Sequence, residues 1–224
     1  MKWSVTISAL VLSLMAPLTS EAQQGHLRWH VVRKTVKIPA SGTPFISSCS
    51  GALTADGRWL VVGGAATAYL SILDAQTLAP LKKIKTAGDA TDNLISVDGG
   101  RKIVATAGYS LYRSNAARHL FVLDARAEPE LLGKVEVGIN PGFHLNLGDG
   151  TVLVPAVHGQ RITRVDTRDK KALESMSTRK WRFHPTWASG RSDQRIAVIT
   201  GGAFRGGRMP FGEKLLVLDP MSPS

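Results

Sequence analysis

Short apolar runs that end in aspartate recur along the chain. Four of them share this pattern, at residues 70–74, 120–124, 161–166 and 215–219, and their closing aspartates lie 50, 42 and 53 residues apart. A self-similar period of this length is the signature of a repeat architecture. Short runs rich in branched apolar residues and bounded by polar turns predict β-strands.

A tight turn and a second β-rich run precede each of these segments. The turns are Asp56-Gly57, Asp98-Gly99, Asp149-Gly150 and a degenerate fourth at residues 191–194. The runs after the turns cover residues 59–63, 102–107, 151–154 and 195–200, and a further strand follows the closing aspartate at residues 81–85, 131–137 and 172–177. This order describes a four-stranded antiparallel sheet, which is the blade of a β-propeller. The sequence therefore predicts an all-β chain with about four blades present.

The recurring turn residues have a structural reason to recur. Glycine after aspartate supplies the positive φ of a tight hairpin, and the aspartate that closes the third strand can accept hydrogen bonds from amides of the following turn. A residue repeated in every blade serves the repeat, so we expect these aspartates to hold turns and not to act in catalysis.

The first residues carry the pattern of an export signal. Lys2 precedes an uncharged apolar stretch at residues 5–18, and Ser20-Glu21-Ala22 supplies small residues at the expected cleavage site. This pattern predicts a secretory signal peptide at residues 1–22, with a retained membrane anchor as the alternative. Residues 23–44 then form an N-terminal segment and residues 45–224 the blades. The expected location is periplasmic or secreted, with no transmembrane segment in the mature chain.

The last predicted blade is incomplete. Three are complete, and the fourth has its first three strands. Residues 29–38 alternate apolar and polar side chains like a lone outer strand. Two interpretations stay open: this strand completes the fourth blade and closes the ring, or the chain is a truncated piece of a larger propeller.

Charge and loop length point to a partner surface. The chain has 28 Lys and Arg against 17 Asp and Glu, a net charge of +11, and its single cysteine, Cys49, excludes an intramolecular disulfide. The second and fourth blades carry longer loops, at residues 108–119 and 201–214, and such loops on one propeller face are where partners dock. We expect a protein partner or an anionic envelope component on this long-loop face. Export argues against nucleic acid.

The repeat resembles a known group. The Asp-Gly turn, the apolar strand ending in Leu120-Phe121-Val122-Leu123-Asp124 and the exit strand at residues 132–138 are similar to the YVTN-type β-propeller repeats of secreted bacterial proteins. A narrower likeness, on Gly142-Phe143-His144 and Phe183-His184-Pro185, is to the heavy subunit of periplasmic amine dehydrogenases. That second resemblance implies a small partner subunit that carries a quinone cofactor, and this chain itself is predicted to bind no cofactor.

Candidate chemistry gathers where the innermost strands begin. The sequence lacks the common nucleophile, phosphate-loop and zinc motifs, and no two histidines have a metal-chelating spacing within one strand, so no metal site is assigned. Aligned on the hairpin turns, the strand entries offer Asp92, Asn93, His144 and His184, which we predict as a ligand-binding site at the channel mouth.

Three functions are compatible with these patterns. The first is a binding or scaffold propeller that is not catalytic on its own. The alternatives are a non-catalytic heavy subunit of an electron-transfer complex and a lactonase-like hydrolase. The hydrolase would need a metal held by carboxylate and amide groups, of which only Asp92 and Asn93 are present at the mouth.

Overall fold

The computed structural model describes residues 8–10, 31–33, 49–64, 69–86, 91, 93–106, 117–191, 196–202 and 214–218. The chain divides into two units, Met1–Ala40 and Ser41–Ser224. In the first unit, strand β1 (Ser8–Leu10) pairs antiparallel with β2 (Val31–Arg33). These strands fall within the predicted signal peptide and the predicted lone strand. Cleavage after Ala22 and completion of the last blade by residues 29–38 stay predictions.

The second unit consists of four antiparallel sheets that follow one another along the chain, and we number them blades 1 to 4. Blade 1 is β3 (Cys49–Leu53), β4 (Trp59–Gly64), β5 (Tyr69–Asp74) and β6 (Pro80–Lys85). Blade 2 is β7 (Asn93–Val97), β8 (Lys102–Thr106), β9 (His119–Asp124) and β10 (Glu130–Glu136).

Blades 3 and 4 continue the same order. Blade 3 is β11 (Leu145–Asn146), β12 (Thr151–Ala156), β13 (Arg161–Asp166) and β14 (Lys171–Ser177). Blade 4 has three described strands, β15 (His184–Arg191), β16 (Ile196–Gly202) and β17 (Lys214–Leu218). The helical elements of the described residues are two single 3₁₀ turns, Asp98–Gly100 and Arg179–Trp181. The predicted all-β propeller of four-stranded antiparallel blades is confirmed.

The meander gives each blade two different ends. Neighbouring strands of a sheet are neighbours in sequence, so the turns between first and second and between third and fourth strands lie at one end, the hairpin end. The connections between second and third strands, and from each blade to the next, lie at the opposite end, the loop end. Most of the two long loops predicted at residues 108–119 and 201–214 lies outside the described residues. No helix in the described part of the chain is long and apolar enough to cross a membrane.

The core lies between blades. In β9, Phe121 and Leu123 pack into a cluster shared with blade 1, whereas Leu120 and Val122 pack into a cluster shared with blade 3. A third cluster joins blade 3 to blade 4. Since successive side chains of a strand point to opposite faces, a strand covered on both faces needs an unbroken apolar run. The runs at residues 70–73 and 120–123 are accordingly buried throughout, whereas Val217 in the corresponding run of blade 4 is 64% exposed.

The aspartates hold turns, as the sequence predicted. Oδ1 of Asp74 accepts hydrogen bonds from the amides of Gln76 and Thr77, and Asp124 and Asp166 accept from amides of their own following turns. At the first turn of each complete blade, the glycine after the aspartate has a positive φ, +68° at Gly57. The side-chain hydrogen bond from Arg126 lowers the pKa of Asp124 to about 2, so this carboxylate is charged at neutral pH.

Each outer strand carries a bulge that the sequence did not predict. In all three complete blades one residue of the outer strand is skipped in the register with the third strand, and that residue is an exposed leucine: Leu81, Leu132 and Leu173. Bulges bend and twist an edge strand, which disfavours its pairing with another chain. The repeated bulge thus protects the outer edge of each complete blade from pairing with another chain.

Two leucines of blade 2 test the division between core and rim. Leu123→Ala removes a side chain that is 0% exposed, whereas Leu132→Ala truncates one that is 42% exposed. We expect the first substitution to lower the free energy of unfolding by about 2–5 kcal/mol and the second by less than about 0.5 kcal/mol. Urea unfolding of both variants measures this difference. Equal losses would contradict the two-sided core.

Candidate functional site

The structure places the described members of the predicted site at the loop end. Asn93 begins β7, His144 directly precedes β11, and His184 begins β15, so each lies where the innermost strand of a blade starts. Asp92 lies outside the described residues. The three described residues therefore lie at the same end of their blades.

Asn93 and His144 are in direct contact. Nδ2 of Asn93 lies 2.7 Å from Nδ1 of His144, and the two residues are 7% and 5% exposed. Oγ1 of Thr106, at the end of β8, lies 3.3 Å from the same ring nitrogen. The contact joins blade 2 to blade 3 across their buried boundary.

The network fixes the direction of its hydrogen bonds. The hydroxyl of Thr106 donates to the carbonyl oxygen of Gly142 at 2.9 Å, so its oxygen accepts from Nδ2 of Asn93 at 3.5 Å. The same amide nitrogen donates to Nδ1 of His144, which places the ring proton on Nε2. That Nε2 is buried, and within the described residues it has no hydrogen-bond partner.

Burial keeps His144 neutral. Desolvation lowers the pKa of its imidazole to about 3, against an opposing contribution from the backbone carbonyl of Val104. A ring with this pKa is unprotonated at neutral pH, so it cannot supply an imidazolium proton there. What the Asn93–His144 pair does in this geometry is hold two blades in register.

His184 makes its hydrogen bond elsewhere. Its Nδ1 donates to the carbonyl oxygen of Val157 in blade 3 at 2.9 Å. The neighbouring His158 has a lowered pKa, mainly through burial and secondarily through the proximity of His184. The structure therefore brings together two of the four predicted residues and seats the third at the boundary between blades 3 and 4. Ligand binding by the set stays a prediction.

A glycine allows the innermost strands of blades 3 and 4 to approach each other. A Cβ at Gly142 would collide with the carbonyl oxygen of Thr186. The amide of Phe143 donates to that same carbonyl at 3.0 Å, and the amide of Ala188 donates back to Phe143 at 2.9 Å. This exchange forms a short parallel bridge between the blades.

Two aromatic rings cover this bridge. Phe143 and Trp187 stack with centroids 4.3 Å apart and planes 23° from parallel. Trp187 thus contacts the neighbouring blade through Phe143, although it remains 49% exposed. Sequence reasoning missed Thr106 and the role of Gly142. The available signals were that Thr106 pairs with Asn93 across the first hairpin of blade 2 and that Gly142 lies two residues before His144.

The described residues hold no metal cluster. Within them, no three His, Cys, Asp or Glu side chains come close enough to hold a metal ion. The polar side chains of Asn93, Thr106 and His144 instead bond to one another and to the backbone. The arrangement of Asn93, Thr106 and His144 joins blade 2 to blade 3.

Comparison with known proteins identifies the fold. No protein-family model matches the chain, and no curated protein sequence matches it. Among solved structures, hydrazine synthase of Kuenenia stuttgartiensis is similar over 80% of this chain and 52% of its own, with 14% identity and a TM-score of 0.56. The Cps50 (Swd1) β-propeller domain of Myceliophteria thermophila is similar over 78% of this chain and 53% of its own, with 12% identity and a TM-score of 0.54. The chain thus spans about half the length of these structures, and the likeness shows a β-propeller fold.

The neutral His144 makes stability depend on pH. Because its folded pKa lies near 3 and the usual value is 6.5, the unfolded chain binds a proton that the folded chain excludes as the pH falls below 6.5. We expect this residue to cost up to about 1.4 kcal/mol of unfolding free energy for each pH unit between 6.5 and 3, with its full contribution retained above 6.5.

The variant His144→Gln isolates this effect, since glutamine has an acceptor for Asn93 and does not titrate. Urea unfolding between pH 7 and pH 4 should show a shallower loss of stability in the variant than in the wild type. Parallel pH profiles would show that His144 is not held neutral by burial.

Gly142 tests the close approach of blades 3 and 4. Gly142→Ala should lower the free energy of unfolding by at least about 2 kcal/mol, because the new methyl group meets a backbone oxygen that cannot move alone. The control is Gly133→Ala, whose Cβ would meet only the flexible side chain of Lys170. We expect the control to stay within about 0.5 kcal/mol of wild type. Equal losses of stability in the two variants, measured by thermal and urea unfolding, would refute the close contact between blades 3 and 4.

Proposed function

We propose that the chain is an exported β-propeller that acts as a binding or scaffold module through its loop end. The observation that carries this proposal is the Asn93–His144 contact. It commits two of the predicted polar groups to joining blades and keeps the imidazole neutral and buried. A framework built in this way supports surface recognition better than proton transfer at the strand entries.

The two ends of the blades support the same proposal. At the hairpin end the aspartates are engaged with backbone amides and arginines of their own turns. At the loop end, the side chain of Trp181 is 42% exposed. Loops and strand entries on a rigid scaffold are where propellers present variable contact residues.

Export is the second part of the proposal. It is supported by the signal-like residues 1–22. A fusion of residues 1–30 to a reporter that is active only outside the cytoplasm should give signal. Removal of residues 1–22 from the fusion should abolish that signal. Activity confined to the cytoplasm in the first fusion would overturn the export proposal.

Photo-crosslinking in the natural host tests the binding role. A photoreactive amino acid replaces Lys180 at the loop end or, as control, Lys170 at the hairpin end; both positions are exposed. We expect a discrete crosslinked species from the first position and none from the second. Crosslinks of equal yield from both positions, or none from either, would contradict a loop-end binding module.

Turnover would favour a different function. If the purified mature chain hydrolysed lactones and Asn93→Ala abolished the activity without loss of fold, the hydrolase alternative would replace the binding role. A crosslinked partner that carries a quinone cofactor would identify the electron-transfer alternative instead.

A further inference from the structure

In the part of the chain that the structure describes, acidic residues are unevenly distributed between the two ends of the blades. Every aspartate in the described part of the chain lies in or next to a turn at the hairpin end. Arginines at the same end form ion pairs with these carboxylates, as between Asp98 and Arg101 at 2.6 Å. The Arg164 guanidinium reaches Asp149 at 3.0 Å. The hairpin end is therefore close to electrically balanced.

The loop end carries a band of cations that we call the basic arc, made of Arg118, Arg161, Arg179, Lys180 and Arg182. Arg118 has a half-exposed side chain, and the other four residues are exposed. Glu136, whose carboxylate lies 4.0 Å from the guanidinium of Arg118, is the one carboxylate at this end among the described residues. Among the described residues, the loop end therefore carries a local excess of positive charge.

The members of the arc are neighbours in space. The carbonyl oxygen of Arg118 accepts from the amide of Val137, and the next residue, Gly138, lies against the side chain of Arg161. Arg161 in turn pairs in register with Ser177, two residues before Arg179. The arc thus runs from blade 2 across the boundary and along blade 3.

A rigid turn presents the end of the arc. The amide of Trp181 donates to the carbonyl of Thr178, and the amide of Arg182 donates to that of Arg179. The hydroxyl of the buried Thr178 donates to the carbonyl of Phe183, which packs in the core between blades 3 and 4. Because both sides of the turn are anchored, little ordering is needed when a partner binds.

An exposed tryptophan lies within the arc. Trp181 is 42% exposed, and Nζ of Lys180 lies 4.6 Å from the centre of its ring. Tryptophan and arginine are the residues most enriched at energetic hot spots of protein interfaces. Guanidinium groups also match carboxylates in a planar, two-bond geometry that lysine lacks.

We propose that the basic arc, together with Trp181 between Lys180 and Arg182, binds an acidic segment of a protein partner. The proposal rests on the proposed function, since it names the partner chemistry of the loop end. Carboxylates of the segment pair with the arginines, and an apolar side chain within it covers the exposed face of Trp181.

Labelled poly-L-glutamate of about 20 residues is the probe, measured by fluorescence anisotropy at 50 mM salt with the mature chain. The test variant is Arg179→Glu/Lys180→Glu, and the control is Lys170→Glu/Lys171→Glu at the hairpin end, which changes the net charge equally. We expect the test variant to bind at least about tenfold more weakly than wild type and the control to stay within about twofold. Binding should weaken as salt rises to 200 mM. Thermal unfolding of both variants checks that each is folded.

Three results would overturn the proposal. The first is no binding by wild type, and the second is an equal loss in both variants, which would reflect net charge alone. The third is tighter, arc-dependent binding to phosphatidylglycerol vesicles than to poly-L-glutamate, which would identify a membrane surface as the partner. The failure of the proposed function can be distinguished from these results. A crosslink at position 180 without binding of poly-L-glutamate refutes only the acidic partner. Binding of poly-L-glutamate without a crosslink at position 180 refutes only the binding role.

Discussion

The middle strands of blade 2, β8 and β9, are buried on both faces, and the packing of one blade against the next depends on this constraint. A single blade would expose both apolar faces of strands such as β8 and β9, so its stability comes from the blade on either side. Ile103 and Phe121 pack towards blade 1, whereas Val104 and Val122 pack towards blade 3. Each blade is thereby both core and partner for the next.

The polar contacts at the boundaries between blades follow from this arrangement. Where innermost strands of adjacent blades meet, backbone and side-chain polar groups leave water and must find partners at the boundary. Thr106, Asn93 and His144 satisfy one another in this way, and Gly142 lets the backbone of blade 4 approach. Among the described residues, Nε2 of His144 has no hydrogen-bond partner, and burial of the ring keeps it neutral.

The repeat made most of the fold predictable. The period of the closing aspartates and the Asp-Gly turns indicated strand order, and hydrogen bonds at Asp74, Asp124 and Asp166 confirm their role. The bulges at Leu81, Leu132 and Leu173 carry no such signal, because a leucine in an outer strand reads like any other strand residue. For the site, the sequence predicted at which end of the blades the residues lie, but not which of them are in contact. Contact between Asn93 and His144 depends on side-chain direction across a boundary, which alignment on turns does not contain.

A fixed framework at the hairpin end and a charged surface at the loop end are the central features of this account. Hydrogen exchange of the mature chain, measured with and without poly-L-glutamate, tests it most directly. The account predicts added protection at Thr178–Phe183 and at residues 160–161, with no change at the hairpin turns. Protection spread evenly over both ends, or centred on the hairpin turns, would contradict it.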